Sequence, residues 1–566
     1  MLMTRATFVL VCGAWTSMVV AAASRDVPVT PPAATASIPA AAGDAAPQAG
    51  VPAAAFVPAT ECVACHNNLT SPGGEDVSIG ASWRGSIMAN SARDPYFHAS
   101  VRRETIDHPT HAAAIEDECA TCHMPAAQKM ARAAGGLGVV FALAPWNLTG
   151  ANPAVEAAGV DGVTCTVCHQ IAPDQLGTRA SFNGQFVVAG PLPNGRRRVF
   201  GPFEPDAART RIMHSVTGFE QVRAQHIRES EVCATCHTLI TQAFGPDGRV
   251  VGTLPEQMNY QEWQHSAFVK EGRGCQSCHM PLVQGPVRVS SVLGLERDTL
   301  SRHTFLGGNA FMLRLMNRYR AELGIQASPA ELEATARATV RQLEQETAVL
   351  SLARAEITGG TLALDIAIEN LTGHKFPTGY PSRRAWLHVT ARDAQGRVVF
   401  ESGAIDGTGA IAGNDSDADA GRFEPHYDEI TRADQVQIYE PILGSLDGRP
   451  TTGLLQATQY LKDNRLLPRG FDKRTAPAEI GVYGDAATDA DFAAAGDIVR
   501  YRVPLSGSGP VTVGVELRYQ PISARWARNL AAYRSADEPR RFLEYYDAMG
   551  ADSSVVIGRT TRTIGR

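Results

Sequence analysis

The chain has 566 residues, with 44% hydrophobic and 19% charged side chains and a formal charge of −6. That length suits two or three domains with buried cores, and the composition excludes a disordered tail protein. The acidic balance argues against nucleic-acid binding, which needs a basic face.

In chain order, residues 1–23 read as a secretory signal peptide: Arg5 gives the positive start, Ala6 to Val20 the apolar stretch, and Ala21-Ala22-Ala23 the small-residue cleavage site. Cys12 falls inside it. No later stretch reaches the roughly 18 apolar residues of a membrane span. Export to the periplasm is expected, with an N-terminal membrane tether or an extracellular destination as the other outcomes. Residues 24–58, rich in Ala and Pro, read as an extended linker.

Of the 11 cysteines, all but Cys12 fall in one pattern, Cys-x-x-Cys-His. Its five copies are Cys62, Cys65 and His66; Cys119, Cys122 and His123; Cys165, Cys168 and His169; Cys233, Cys236 and His237; and Cys275, Cys278 and His279. Two thiols at this spacing add to the two vinyl groups of one haem, and the following histidine is aimed at the iron. Zinc ribbons and disulfide frameworks do not require a histidine after every pair. Thioredoxin-like motifs usually occur once. The pattern therefore predicts five covalently bound haem c groups, with His66, His123, His169, His237 and His279 as proximal iron ligands.

Ten further histidines could fill sixth positions. His303, in His303-Thr-Phe-Leu-Gly-Gly-Asn309, precedes a helical pattern. His226 stands seven residues before Cys233. His374 lies in the Gly- and Pro-pinned loop Gly373-His-Lys-Phe-Pro-Thr-Gly379. Loops fixed in this way can hold a ligand, so these three rank first as distal ligands, followed by His214 and His111. His98, His108 and His265 rank lower, and His388 reads as part of a strand. Met88 reads as core packing rather than as a thioether ligand.

Residues 59–325 thus read as a pentahaem cytochrome c domain, mostly helical or irregular, whose cofactors serve as its core. Ser328-Pro-Ala-Glu331 is a capping box that opens a connecting helix within 326–353. Residues 354–520 turn to period-two alternation, as at Leu362, Leu364, Ile366 and Ile368, and read as an Ig-like β-sandwich. Residues 521–566 read as a helical C-terminal tail. The fold class expected is therefore a multidomain α+β protein. The acidic loop Asn414-Asp-Ser-Asp-Ala-Asp-Ala-Gly421 offers the alternating carboxylates that Ca²⁺ takes, but it departs from the EF-hand pattern, and a solvated acidic turn is preferred.

The five motifs, with Trp83-Arg-Gly-Ser-Ile-Met-Ala-Asn90, Asp161-Gly-Val-Thr164, Cys275-Gln-Ser-Cys-His-Met-Pro281, His303 to Asn309 and Gly373 to Gly379, resemble the multihaem c-type cytochromes. They are similar in particular to the tetrahaem cytochrome c-552/4-like group, over roughly residues 60–380. The resemblance implies close-packed, mainly bis-His haems relaying electrons in the periplasm, with His303 and His374 as distal ligands. Redox proteins are the expected donor and acceptor, and a membrane is expected only as a docking site or tether. An electron carrier is the leading expectation. The alternative is a haem oxidoreductase acting on nitrite, hydroxylamine, nitric oxide or a sulfur compound at one open haem. The Cys-x-x-Cys-Lys motif of pentahaem nitrite reductases does not occur, and the sequence names no catalytic residue.

Overall fold

The computed structural model describes residues 55–565, so the signal peptide and most of the linker expected at the N-terminus lie outside the described residues. The fold is mixed α+β. From residue 59 to 318 the chain forms short helices, several of them opened by a capping side chain or an N-terminal proline. Helix Pro95–Asp107 has proline at its first position, and the Asp94 carboxylate accepts from the amides of Tyr96 and Phe97. Helix Ala310–Arg318 is capped by Asn309.

This region also contains an antiparallel hairpin, Thr238–Phe244 with Val250–Met258, where the sequence pattern suggested no sheet. Its turn is Gly245-Pro-Asp-Gly248, with Gly248 at φ +76°. Polar residues and Pro255 break the alternation that would have announced the second strand.

Helix Pro329–Glu346 carries the complete capping box, with the Ser328 hydroxyl on the Glu331 amide and the Glu331 carboxylate on the Ser328 amide. It stops at Glu346, short of the bound expected at 353, and a strand begins at Ala348. The strands of the C-terminal half that build its two main sheets are β1 (Ala348–Thr358), β2 (Thr361–Asn370), β3 (Arg384–Arg392), β4 (Val398–Ser402), β5 (Glu429–Ile430), β6 (Ile438–Tyr439), β7 (Gly496–Pro504), β8 (Val511–Gln520) and β9 (Val555–Ile564). One sheet has the order β1-β2-β7-β5. The other runs β4-β3-β8-β9, with β6 also paired to β3. Leu362, Leu364 and Ile366 of β2, Leu387 and Val389 of β3, Val499 and Tyr501 of β7, and Val513, Val515 and Leu517 of β8 share one core. Alternate residues of each strand point to one face, which is why the period-two pattern was legible.

The tail differs from expectation at its end. Helix Asp537–Asp547 forms, but Val555–Ile564 is a strand paired with β8. Its β-branched residues favour that choice. The tail helix returns to the N-terminal region, where Glu538 makes two hydrogen bonds with Arg102 and Phe542 packs on Tyr96.

The acidic loop does not gather its carboxylates around a cation. Asp417 is committed to the guanidinium of buried Arg384, Asp415 pairs with Arg422, and Asp419 accepts from the Gly421 amide. His426 instead faces Asp489, while its Nδ1 accepts from Gln437 and Asn464. The Ca²⁺ reading of this loop is therefore corrected to a set of structural ion pairs. The Arg384–Asp417 side chains are 1% and 3% exposed. Removing one partner of such a pair strands a buried charge, so Asp417→Ala is expected to cost about 3–5 kcal/mol of stability, measured by chemical denaturation.

Candidate haem-binding cavity

Each Cys-x-x-Cys-His motif occupies about one helical turn. Helices Ala112–His123, Cys165–Cys168, Ser230–His237 and Cys275–His279 carry four of them, and helix Ala59–Val63 leads into the first. At this spacing the two thiols share a helix face and the histidine follows beside them. All ten thiols are free, and all ten line one continuous cavity of about 1430 Å³. The same cavity is lined by His66, His123, His169, His237 and His279.

The histidines are oriented for metal binding. Nδ1 of His66 bonds the carbonyl of Val289 at 2.6 Å, Nδ1 of His169 that of Phe200 at 2.6 Å, and Nδ1 of His279 that of Leu306. With the proton held on Nδ1, the Nε2 lone pair is left for a metal. Burial drives the His123 and His237 rings down to about 4, so both are neutral and able to ligate at neutral pH. Phe97 stacks on the His123 ring at 3.8 Å.

Of the other ten histidines, two line the cavity, His303 and His374. His303 faces His169 with ring centres 6.4 Å apart and planes 12° from parallel, and His374 faces His279 at 6.3 Å and 16°. An iron held by two imidazole nitrogens at about 2.0 Å, each about 1.1 Å from its ring centre, separates the centres by about 6.2 Å. The donor set and this spacing fit a bis-His haem at the third and fifth motifs. Both of these facing rings are also held by Nδ1, His303 on Ser301 O at 3.0 Å and His374 on Lys375 O at 2.8 Å.

The remaining candidates are not brought to the cavity. His226 Nε2 bonds Ile171 O at 2.8 Å. His111 Nε2 bonds Gly248 O at 2.8 Å, and its ring stacks on Phe244. His98 Nε2 bonds Ala92 O. His214 lies on helix Ala207–Thr217, which reaches the cavity through its neighbour Met213 instead. Met213, like Met88, is among the lining residues, and its sulfur accepts from Gln221. Sequence reasoning passed over Met213, since a methionine in a helix carries no signal beyond packing.

The motifs are close neighbours. Cys62 and Cys165 thiols are within hydrogen-bonding reach, as are Cys122 with Cys236 and Cys233 with Cys275. Cys168 lies near enough to Cys236 to feel its charge. The first motif thus adjoins the third, the third adjoins the fourth, and the fourth adjoins the second and fifth.

The loop that presents His374 is anchored by buried charge. The Lys375 ammonium bonds Asp463 and the Gly481 carbonyl, both at 2.7 Å, and Arg465 holds the same carboxylate through two nitrogens. Glu262 accepts from the Lys375 amide and the Thr378 hydroxyl. Asn370 bonds the His374 carbonyl. Burial alone would raise the Asp463 carboxyl, but Arg465 and Lys375 outweigh it and bring it down to about 2.

Two outcomes follow from this geometry. In the haem-loaded protein, His303→Ala and His374→Ala are each expected to convert one low-spin ferric signal to high spin in EPR, while His226→Ala, His214→Ala and His111→Ala leave the spectrum unchanged. Asp463, depressed from 3.8 to about 2, contributes stability that is complete above about pH 4 and lost as pH falls towards 2. Denaturation of Asp463→Asn against the parent should therefore show a gap of about 2–3 kcal/mol at neutral pH that closes across that acid window.

No protein-family model matches the chain, and no curated protein matches it. Among solved structures it is similar to the crystal structure of a penta-heme cytochrome c552 from Thermochromatium tepidum, with 17% identity and a TM-score of 0.48, over 90% of this chain and 99% of that one.

Proposed function

We propose that this chain is an exported five-haem c-type cytochrome that passes electrons between redox partner proteins. The observation that carries the reading is the single cavity lined by all ten motif thiols and all five motif histidines. Covalently held haem supplies reversible one-electron iron chemistry. The chain contributes the rest: thiols that fix each group, Nδ1 bonds that aim Nε2 at His66, His169 and His279, and thiol-to-thiol approaches that keep neighbouring motifs close enough for electron exchange.

Among the described residues, no helix is long and apolar enough to cross a membrane. The periplasmic destination rests on the signal-like N-terminus. The β region is read as Ig-like: its orders β1-β2-β7-β5 and β4-β3-β8-β9 follow the ABED and C′CFG arrangement, although β5 pairs with β7 in parallel. It serves as the scaffold for the His374 loop and as a surface for partners.

One observation favours the second reading, a haem oxidoreductase acting on a small nitrogen or sulfur compound. Outside the motifs two histidines line the cavity, His303 and His374, and these face His169 and His279, which leaves no such histidine over for the motifs of His66, His123 and His237. An iron at any of these motifs would take a methionine or remain open to substrate.

A pyridine haemochrome assay of the purified protein should give five haems per chain, and a lower number overturns the reading. EPR of the oxidised protein then separates the two functions. Low-spin signals alone support the carrier. A high-spin signal that shifts on adding nitrite or hydroxylamine supports the oxidoreductase.

A further inference from the structure

The part of the cavity beside the second motif has a chemistry of its own. Glu104 of helix Pro95–Asp107, Glu118 of helix Ala112–His123 and Glu256 of strand Val250–Met258 line it together, with the phenols of Tyr96 and Tyr380. Glu104 and Glu256 are 6% and 4% exposed, and Glu118 is half-buried. Glu256 accepts from the Thr241 hydroxyl at 2.6 Å. Glu104 accepts the Leu454 amide on Oε1, but its buried Oε2 has no hydrogen-bond partner, and His108 Nε2 stands 3.9 Å from it. An unpaired buried carboxylate oxygen is costly when ionised and cheap to protonate.

Few cations oppose this cluster. Arg103, on the helix of Glu104, is shared with Asp107 and bonds Thr452. Asp117 stands beside Glu118 and adds negative charge, as Asp107 does beside Glu104. Burial, with help from Asp117, brings Glu118 to about 7, and burial, with help from Glu118 and Glu104 and against the Thr241 hydrogen bond, brings Glu256 to about 7. Glu104 is raised as well, chiefly by burial and against the pull of Arg103. Cys119 belongs to the same electrostatic neighbourhood: burial first, then Glu118, Glu256 and Glu104 in turn, push its thiol upward. The cluster therefore sits at the attachment edge of the second motif.

We propose that Glu104, Glu118 and Glu256 form a proton-binding site that takes up one proton from solvent when one electron arrives at the second motif. The inference rests on the haem-binding reading above. The electron comes from the redox donor and converts ferric to ferrous iron. The proton converts one carboxylate to a carboxylic acid, so no net charge is added to the low-dielectric interior. The physical cause is Coulombic: an added negative charge a short distance away, poorly screened, raises the proton affinity of each carboxylate. The sign fixes the window. Below about pH 7 Glu118 and Glu256 are protonated in both redox states and no proton moves. Above it the oxidised protein holds a carboxylate that reduction protonates, so the potential falls as pH rises.

The test is a spectroelectrochemical titration of the haem-loaded protein from about pH 5.5 to about pH 9, with the five potentials resolved. One potential should be flat below about pH 7 and then fall, by at most tenfold in the equilibrium constant per pH unit, which is about 59 mV. The other four should change little. Glu118→Gln and Glu256→Gln should each flatten that slope, and the triple variant with Glu104→Gln should abolish it. Five flat potentials overturn the proposal, as does a slope that survives in the triple variant, which would assign the proton to a haem propionate. Should the variants fail to load haem, redox-difference infrared spectra of the parent protein decide. A carboxylic C=O band that grows on reduction and shifts in D₂O supports the site, and its absence overturns it. Five haems with pH-independent potentials would sink this inference alone, whereas a haemochrome count below five would sink the function proposal with it.

Discussion

A buried imidazole has two nitrogens, and the bond made by one decides what the other can do. At His66, His169 and His279, and again at His303 and His374, a backbone carbonyl takes Nδ1 and leaves Nε2 facing the cavity. The five carbonyls come from residues outside any long helix, in loops or at element ends. The irregular stretches after the fifth motif, which supply four of the five carbonyls, are thus part of the apparatus that aims the rings. Where the carbonyl takes Nε2 instead, as at His226, His111 and His98, the same residue type becomes a structural cross-link.

That distinction explains how much of the site was legible in sequence. The five motifs could be read because thiols and histidine lie within five residues, and one helical turn preserves their spacing in space. His303 and His374 could be ranked because their flanking glycines, proline and cap residue mark pinned loops. His226 carried a similar local promise, yet its ring turned to Ile171, and only the tertiary path of the chain decides which nitrogen meets a carbonyl. Glu104, Glu118 and Glu256 could not be grouped at all. They belong to two helices and a hairpin strand that converge only after folding, and a glutamate in a helix ordinarily signifies a solvated face. The same holds for the hairpin carrying Glu256, whose interrupted alternation hid it, and for β9, whose small and β-branched residues followed a segment of helical character.

The β region is tied to the helical region through chemistry as well as packing. The loop between β2 and β3 carries His374, and behind it Lys375, Asp463, Arg465 and Glu262 form a closed set of buried charges drawn from both halves of the chain. Buried ion pairs of this kind add little net stability over apolar contacts, but they specify one arrangement, since any other strands a charge. The cost of that specificity falls where a ring must be held to within a few tenths of an ångström of its partner.

The position of that loop in the chain also sets an order in time. Synthesis and export run from the N-terminus, so all five thiol pairs and their histidines appear before His303, and His374 appears later still. On the proposed reading, cofactor attachment can begin on a chain whose cavity has no far wall, and β2, β3 and their connecting loop close over it afterwards. A segment that arrives after the motifs and covers what is already bonded acts as a keystone. Its late arrival gives bulky groups room to enter, and its buried charges secure the closure once they are in place.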